Sequence, residues 1–116
     1  MDLNKHDMTK KMIYTNTEMV PGREISEVLG VVTGNVVQTK HVGKDILAVL
    51  RSVVGGEITG YTQMLTEARQ KAISRMVIAA RELDADAVVS LRFTTISIMT
   101  NASEILAYGT AVKLKD

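Results

Sequence analysis

Apolar residues along this 116-residue chain change their spacing several times, and each change predicts an element. Met12 to Thr15 has the composition of a short strand, and Pro21 followed by Gly22 predicts a turn, because proline fixes φ and glycine then admits the opposite hand. Residues 24 to 41, rich in Val and Thr and free of proline, predict a long strand. Val28, Gly30, Val32, Gly34 and Val36 fall on one of its faces, and Ile25, Leu29, Val31 and Val37 on the other. Neither face is plainly polar. Gly30 and Gly34 flank Val32, and the two absent side chains leave a groove for a close backbone or helix, or else mark a bulge.

Lys44 to Val54 changes to helical spacing, with Ile46, Val49, Leu50 and Val53 on one stripe, closed by Gly55 and Gly56. A longer helix is predicted from Thr62 to Leu83, where Leu65, Ala68, Ala72, Met76, Ala79 and Leu83 recur at three- and four-residue steps. Its alanines suit close packing on a sheet. Asp84 to Asp86 then leads into a strand from Ala87 to Thr100, a turn at Asn101 to Ser103 and a last strand from Glu104 to Lys115. Val89, Leu91 and Phe93 share one face of the first of these strands, whereas Ile96 and Ile98 take the other, which predicts a β-bulge near Thr94 and Thr95.

The order β-β-α-α-β-β predicts an α+β subunit, a mostly antiparallel sheet packed by one long and one short helix. Residues 12–115 form a single domain behind a polar leader, residues 1–11, which is expected to be disordered. Two helices are too few to cover strands that are apolar on both sides, so the remaining sheet surface is expected to be buried between copies of the chain. A homo-oligomer follows from that pattern.

Composition narrows the chemistry. There are no cysteines, which removes disulfides, thiolate nucleophiles and thiolate ligands together, and fits a reducing, cytoplasmic location. A net charge of +1 leaves no field to attract nucleic acid or an anionic membrane. The leader has no apolar run that could serve as a signal-peptide core, and no apolar stretch approaches the roughly 20 residues that span a bilayer. Arg69, Lys71, Arg75 and Arg81 on the long helix are interrupted by Glu67, Glu82 and Asp84, the pattern of a solvated face. Arg92 and Glu104 on the terminal hairpin are expected to pair across strands.

A hydrolytic triad lacks both a G-x-S-x-G elbow and a cysteine, and His41 is its sole plausible base, so no catalysis is expected. Soft metals favour thiolates, and imidazole comes only from His6 and His41, which leaves His41 as the weak metal candidate. The seven methionines are scattered and read as gap filling. The most suggestive polar set is Asp45, Arg51, Glu57, Tyr61 and Arg69, gathered around Gly55 and Gly56. Guanidinium forks, a phenol and backbone amides of consecutive glycines suit a small anion or a nucleotide-like ligand at a subunit interface. The alternative assignment is that Arg51 and Arg69 pair with Asp45 and Glu57 and fix the helix geometry.

From Met12 to Leu114 the chain resembles the YbjQ-like family of bacterial proteins, which carries a heavy-metal-binding label. The resemblance rests on Leu29-Gly30-Val31-Val32-Thr33-Gly34-Asn35, on Lys44-Asp45-Ile46 leading to Arg51, on Val54-Gly55-Gly56-Glu57, on Tyr61 and on Ala68-Arg69. Ala85-Asp86-Ala87-Val88-Val89 and Tyr108-Gly109-Thr110-Ala111-Val112 complete it. It implies a dodecin-like α+β subunit in a ring-shaped homo-oligomer, a pentamer, with metal binding as the family's label and no established catalysis. Two positions depart from the family pattern: Lys44 stands where Arg is more usual, and Asp84 replaces the glycine usual before the Ala-x-Ala segment, which asks an aspartate to accept a turn geometry that glycine adopts more easily.

Overall fold

The computed structural model describes residues 11–39, 53–54, 57–100 and 102–116, and for 53–54 and 57–61 the backbone alone. The described elements are β1 (Ile13–Tyr14), β2 (Ile25–Thr39), β3 (Val53–Val54), β4 (Glu57–Ile58), α1 (Thr59–Glu82), β5 (Ala87–Met99) and β6 (Ala102–Leu114). Four strands form one sheet in the order β1-β5-β6-β2. β1 runs parallel to β5, while β6 is antiparallel to both β5 and β2. One long helix on a mixed four-stranded sheet is therefore the architecture of the described residues.

Small side chains set the helix on the sheet. Ala68, Ala72, Met76 and Ala80 recur every four residues along α1, and all four are fully buried. They pack on Val32, Val36, Val88, Ile105, Ala107 and Ala111 of the sheet. At Gly34 the approach is so close that an added methyl would overlap the main-chain oxygen of Ala72 and the main-chain nitrogen of Met76. The glycine groove expected on this strand exists at that position. Gly30 plays the other part: it has φ +135, lies at the register shift between Val28 and Gly30, and has open space around it.

The helix ends in a motif legible atom by atom. Asp84 N donates to Arg81 O at 2.9 Å and Ala85 N to Ala80 O at 3.1 Å, with Asp84 in the left-handed region at φ 61. This double bond pattern satisfies the last carbonyls of a helix, and the residue at the left-handed position is usually glycine. Here the Asp84 side chain also accepts a hydrogen bond from Lys113 Nζ at 2.9 Å.

A second, smaller cluster lies on the sheet face away from α1. Val20 covers Ala87, Val89, Val112 and Leu114 there, with Ile25 beside them. The segment carrying Val20 is held by Thr15 N to Val88 O, Leu91 N to Thr15 O and Ser90 N to Thr17 O, at 2.8–3.0 Å. Pro21 and Gly22 make the predicted turn, closed by Arg23 N to Val20 O at 3.0 Å with Gly22 at φ 78.

Several expectations are corrected. The short helix read over 44–54 lies mostly outside the described residues; where described, Val53 and Val54 are extended and pair with Ile58 and Glu57. Two β-branched residues beside a glycine pair favour that strand state. The buried stripe of α1 passes through Ala80, leaving Leu65 and Leu83 exposed. The pairing of β5 with β6 is regular from Arg92 to Ser97, so no bulge lies at Thr94 and Thr95; the shifts fall between Val89 and Arg92 and between Ser97 and Met99. The first turns Val89 to the face away from α1 while Leu91 and Phe93 stay on the helix face, so these three do not share a face, and it places Ser90 at φ 55, the hand that a bulge usually gives to glycine.

Candidate functional site

Of the predicted ligand set, Asp45 and Arg51 lie outside the described residues, as does the metal candidate His41. Glu57 sits in β4 opposite Val54, and Tyr61 falls in the first turns of α1. Arg69 lies two turns further along the helix, exposed, with Nη2 3.5 Å from Thr66 Oγ1. Tyr61 and Arg69 are thus about 12 Å apart along the axis at 1.5 Å per residue. The backbone places three of the five residues on β4 and the adjoining helix.

Two carboxylates at the end of the helix, Asp84 and Asp86, are engaged within the chain. Asp84 Oδ2 is bonded to Lys113 Nζ at 2.9 Å, and Asp86 Oδ2 accepts the main-chain N–H of Leu114 at 2.8 Å. The hydrogen bond that Lys113 donates to Asp84 raises the Lys113 pKa above its ordinary 10.5, opposed by burial and assisted by the charges of Asp84, Asp86 and Glu27. These contacts tie the end of α1 to the end of β6. They join residues 29 and 28 positions apart, so no local spacing announces them.

On the open face of the sheet, cross-strand register puts Arg92, Tyr108 and Thr33 in one row and Thr94, Leu106 and Asn35 in the next. Arg92 Nη1 donates to Asn16 O at 3.0 Å and to Leu91 O at 2.9 Å, while Glu104 Oε2 accepts from Asn35 Nδ2 at 3.3 Å. The expected Arg92–Glu104 pair does not form, because Arg92 stands opposite Tyr108 and Glu104 opposite Ile96. The hairpin is tighter than its sequence suggests, and the bulge at Ser90 moves the register again.

Metal chemistry is poorly served by this donor set. Among the described residues no group of three or more His, Asp or Glu side chains converges, and the chain has no cysteine. Tetrahedral sites for borderline or soft ions need three or four such donors. The described part of one subunit therefore does not fit a heavy-metal ion. Nor is any helix among the described residues long and apolar enough to cross a membrane.

Fold and surface together define a small α+β domain whose sheet is closed by a helix on one face and by a short turn at one end of the other. The chain belongs to the YbjQ_1 family, whose model is described as "Putative heavy-metal-binding" and matches residues 12–115. It is 66% identical over 104 residues to a UPF0145 protein of Psychromonas ingrahamii, spanning 90% of this chain and 99% of that one. A UPF0145 protein of the archaeon Archaeoglobus fulgidus is 59% identical over 108 residues, 93% of this chain and all of the other. The crystal structure of a DUF74-family protein of unknown function from Pediococcus pentosaceus superposes with a TM-score of 0.57, over 90% of this chain and 98% of that one. At 18% identity the last comparison speaks for the fold.

Proposed function

We propose that this protein is a self-assembling, non-catalytic binding subunit, pentameric as the family resemblance implies, which holds a small anion between neighbouring copies. The observation that carries the assembly is aliphatic surface left open on the sheet: Val31 is 72% exposed, Val28 65% and Met99 64%. Lone exposed aliphatic residues are ordinary, but these belong to the two strands that flank β6, Val28 and Val31 on β2 and Met99 on β5, where another chain would cover them. The anion is inferred from side-chain chemistry at Arg51, Tyr61 and Arg69, with Asp45 and Glu57 orienting the guanidinium groups. A nucleotide-like molecule belongs to the same class.

The family description supports a second cargo, a metal ion. One subunit supplies no thiolate, so such a site would have to collect His41 or carboxylates from several copies about a symmetry axis. Native mass spectrometry of freshly purified protein, with elemental analysis of the same sample, separates these readings. The expected result is an assembly with a retained anion or one that phosphate or a nucleotide stabilises in thermal melts. Stabilisation by transition-metal ions alone, lost on chelation, would favour the metal. A scaffold without cargo would show neither. An Arg69→Ala variant should weaken anion stabilisation while leaving the mass of the assembly unchanged.

A further inference from the structure

Among the described residues no strand pairs with the outer side of β2 or of the second half of β5, and the direction in which their main-chain groups point can be worked out. Leu114 N donates to Asp86 Oδ2, and Val112 O accepts from Asp86 N, so even-numbered residues of β6 turn their N–H and C=O groups towards β5. Lys115 N donates to Glu24 O, which turns the odd-numbered ones towards β2. Hydrogen-bonded and non-bonded pairs alternate along antiparallel strands. Carried across the observed register, the rule leaves Val31, Thr33, Asn35, Val37 and Thr39 of β2 with outward main-chain groups, and likewise Phe93, Thr95 and Ser97 of β5. Arg75 Nη1 donates to Asn35 O at 2.6 Å, which agrees with that carbonyl lying on the border.

Three observations link the two borders. Neither is available in its first half: bulges between Ile25 and Glu27 and between Val28 and Gly30 interrupt the start of β2, and β1 with Thr15 and Thr17 occupies the start of β5, which then pairs regularly with β6 from Arg92 to Ser97. The free halves lie level with one another across the sheet, since Thr33 and Arg92 both face Tyr108, and Thr39 and Met99 both face Ala102. Finally, the exposed large apolar residues of this half of the sheet belong to the border strands, Val31 and Val37 on β2 and Phe93, Ile96, Ile98 and Met99 on β5, while β6 between them has none. An unpaired border flanked by aliphatic side chains is a template for another strand, which folded proteins block or pair.

We propose that copies of this chain join head to tail, the border of β2 at residues 31–39 in one subunit pairing in parallel with the border of β5 at residues 92–97 in the next. β2 and β5 both run antiparallel to β6, so they share one direction. A neighbour that keeps its helix on the same side of the sheet therefore presents β5 parallel to β2. Parallel pairing also needs the residue whose main chain points outward to sit beside one whose main chain points inward, with both side chains on the same face. Val37 is outward and Ile96 inward, and both register with Glu104 on the face away from α1. The seam brings the two aliphatic sets together, and repetition closes a ring without leaving a border. A two-fold pairing of β2 with itself would leave every β5 border open.

This proposal rests on the self-assembly put forward above, and the test separates the two. Val37→Pro and Thr95→Pro each remove an N–H that points outward, so neither breaks a hydrogen bond within the subunit. Each should convert the wild-type assembly to single, folded subunits, read by light scattering and circular dichroism. Because the chain has no cysteine, the double variant Val37→Cys, Ile96→Cys treated with a flexible thiol-reactive linker gives an independent measurement. It should form a covalent ladder ending at the mass of the full assembly, while each single variant stays uncrosslinked. Folded proline variants that keep the wild-type mass, or a Val37→Cys variant that crosslinks alone into dimers, would overturn the pairing and leave self-assembly standing. Wild-type protein that is a single subunit at micromolar concentration would overturn both. If a proline variant does not fold, the crosslinking result decides.

Discussion

Adding one methyl group at position 34 tests how α1 is seated on the sheet. The Cβ of an alanine there would overlap Ala72 O and Met76 N and stand 3.0 Å from the carbonyl carbon of Arg75. All three obstacles are main-chain atoms of a helix, so no rotamer change relieves them. The helix must lift, and lifting it separates Ala68, Ala72, Met76 and Ala80, all fully buried, from the sheet. Overpacking of a core commonly costs about 1–3 kcal/mol, and a rigid obstacle puts Gly34→Ala at the upper end. With an unfolding entropy near 2.1 cal/mol/K per residue, a loss of about 3 kcal/mol lowers Tm by roughly 12 °C for a chain of this length. Urea denaturation and thermal melts at one fixed protein concentration measure it. The decisive control is Gly34→Ala combined with Ala72→Gly. Trimming the Ala72 side chain removes nothing that the new methyl meets and adds about 1 kcal/mol of helix penalty. The double variant should therefore be less stable than Gly34→Ala, and a rescued double variant would refute the reasoning.

The end of the helix and the bulge of β5 give two further tests. Asp84→Gly relieves a left-handed residue but loses the ion pair to Lys113, two effects of about 1 kcal/mol or less that nearly cancel, whereas Asp84→Ala keeps the strain and loses the pair, so in urea it should be the less stable variant. The raised Lys113 pKa means that its contribution is whole below the ordinary value of 10.5 and fades as pH rises through the higher folded value; Lys113→Met should flatten stability between neutral and strongly alkaline pH by less than ~1 kcal/mol, the group being a third exposed. Ser90 at φ 55 should accept glycine with little change and reject valine by about 1–2 kcal/mol, read by the same denaturation; a neutral Ser90→Val would show that the bulge is not held in that conformation.

Period carried most of what could be read from sequence. Alternation over β2 and the alanine steps of α1 identify their elements because each element buries a face whose repeat it must match, and Pro21-Gly22 announces its turn through φ alone. Glycine usually marks a special backbone, and Ser90 holds the bulge of β5 without one, so nothing in the sequence points to that position rather than to the polar pair Thr94 and Thr95, where the pairing is regular. Val53 and Val54 fit a helical stripe and a strand equally well, and pairing with β4 decides between them. The candidate site was legible as a composition around two glycines, not as a geometry. Its Arg69 lies on α1, while Asp45, Arg51 and His41 fall outside the described residues. The bond between Lys113 and Asp84 joins positions too distant in sequence for spacing to reveal.

The apolar content on both sides of β2 divides along its length, and the division bears on assembly. At the first end the chain covers its own outer face: Val20 closes over Ala87, Val89, Val112 and Leu114. At the second end the inner face is sealed by α1 through Val32, Gly34 and Val36, but the outer residues Val31 and Val37 remain open. A strand that needed only solvent on that side would place Thr, Lys or Glu there, as Thr33 and Asn35 do between the two valines. Aliphatic residues alternate with those polar ones on the same face, and Arg75 reaches from the helix to bond the carbonyl of Asn35. A charged side chain at a border limits indiscriminate strand addition, while flanking valines favour a matched partner. The two together describe a border that admits a specific strand, which is the property a closed ring requires and an aggregating edge lacks.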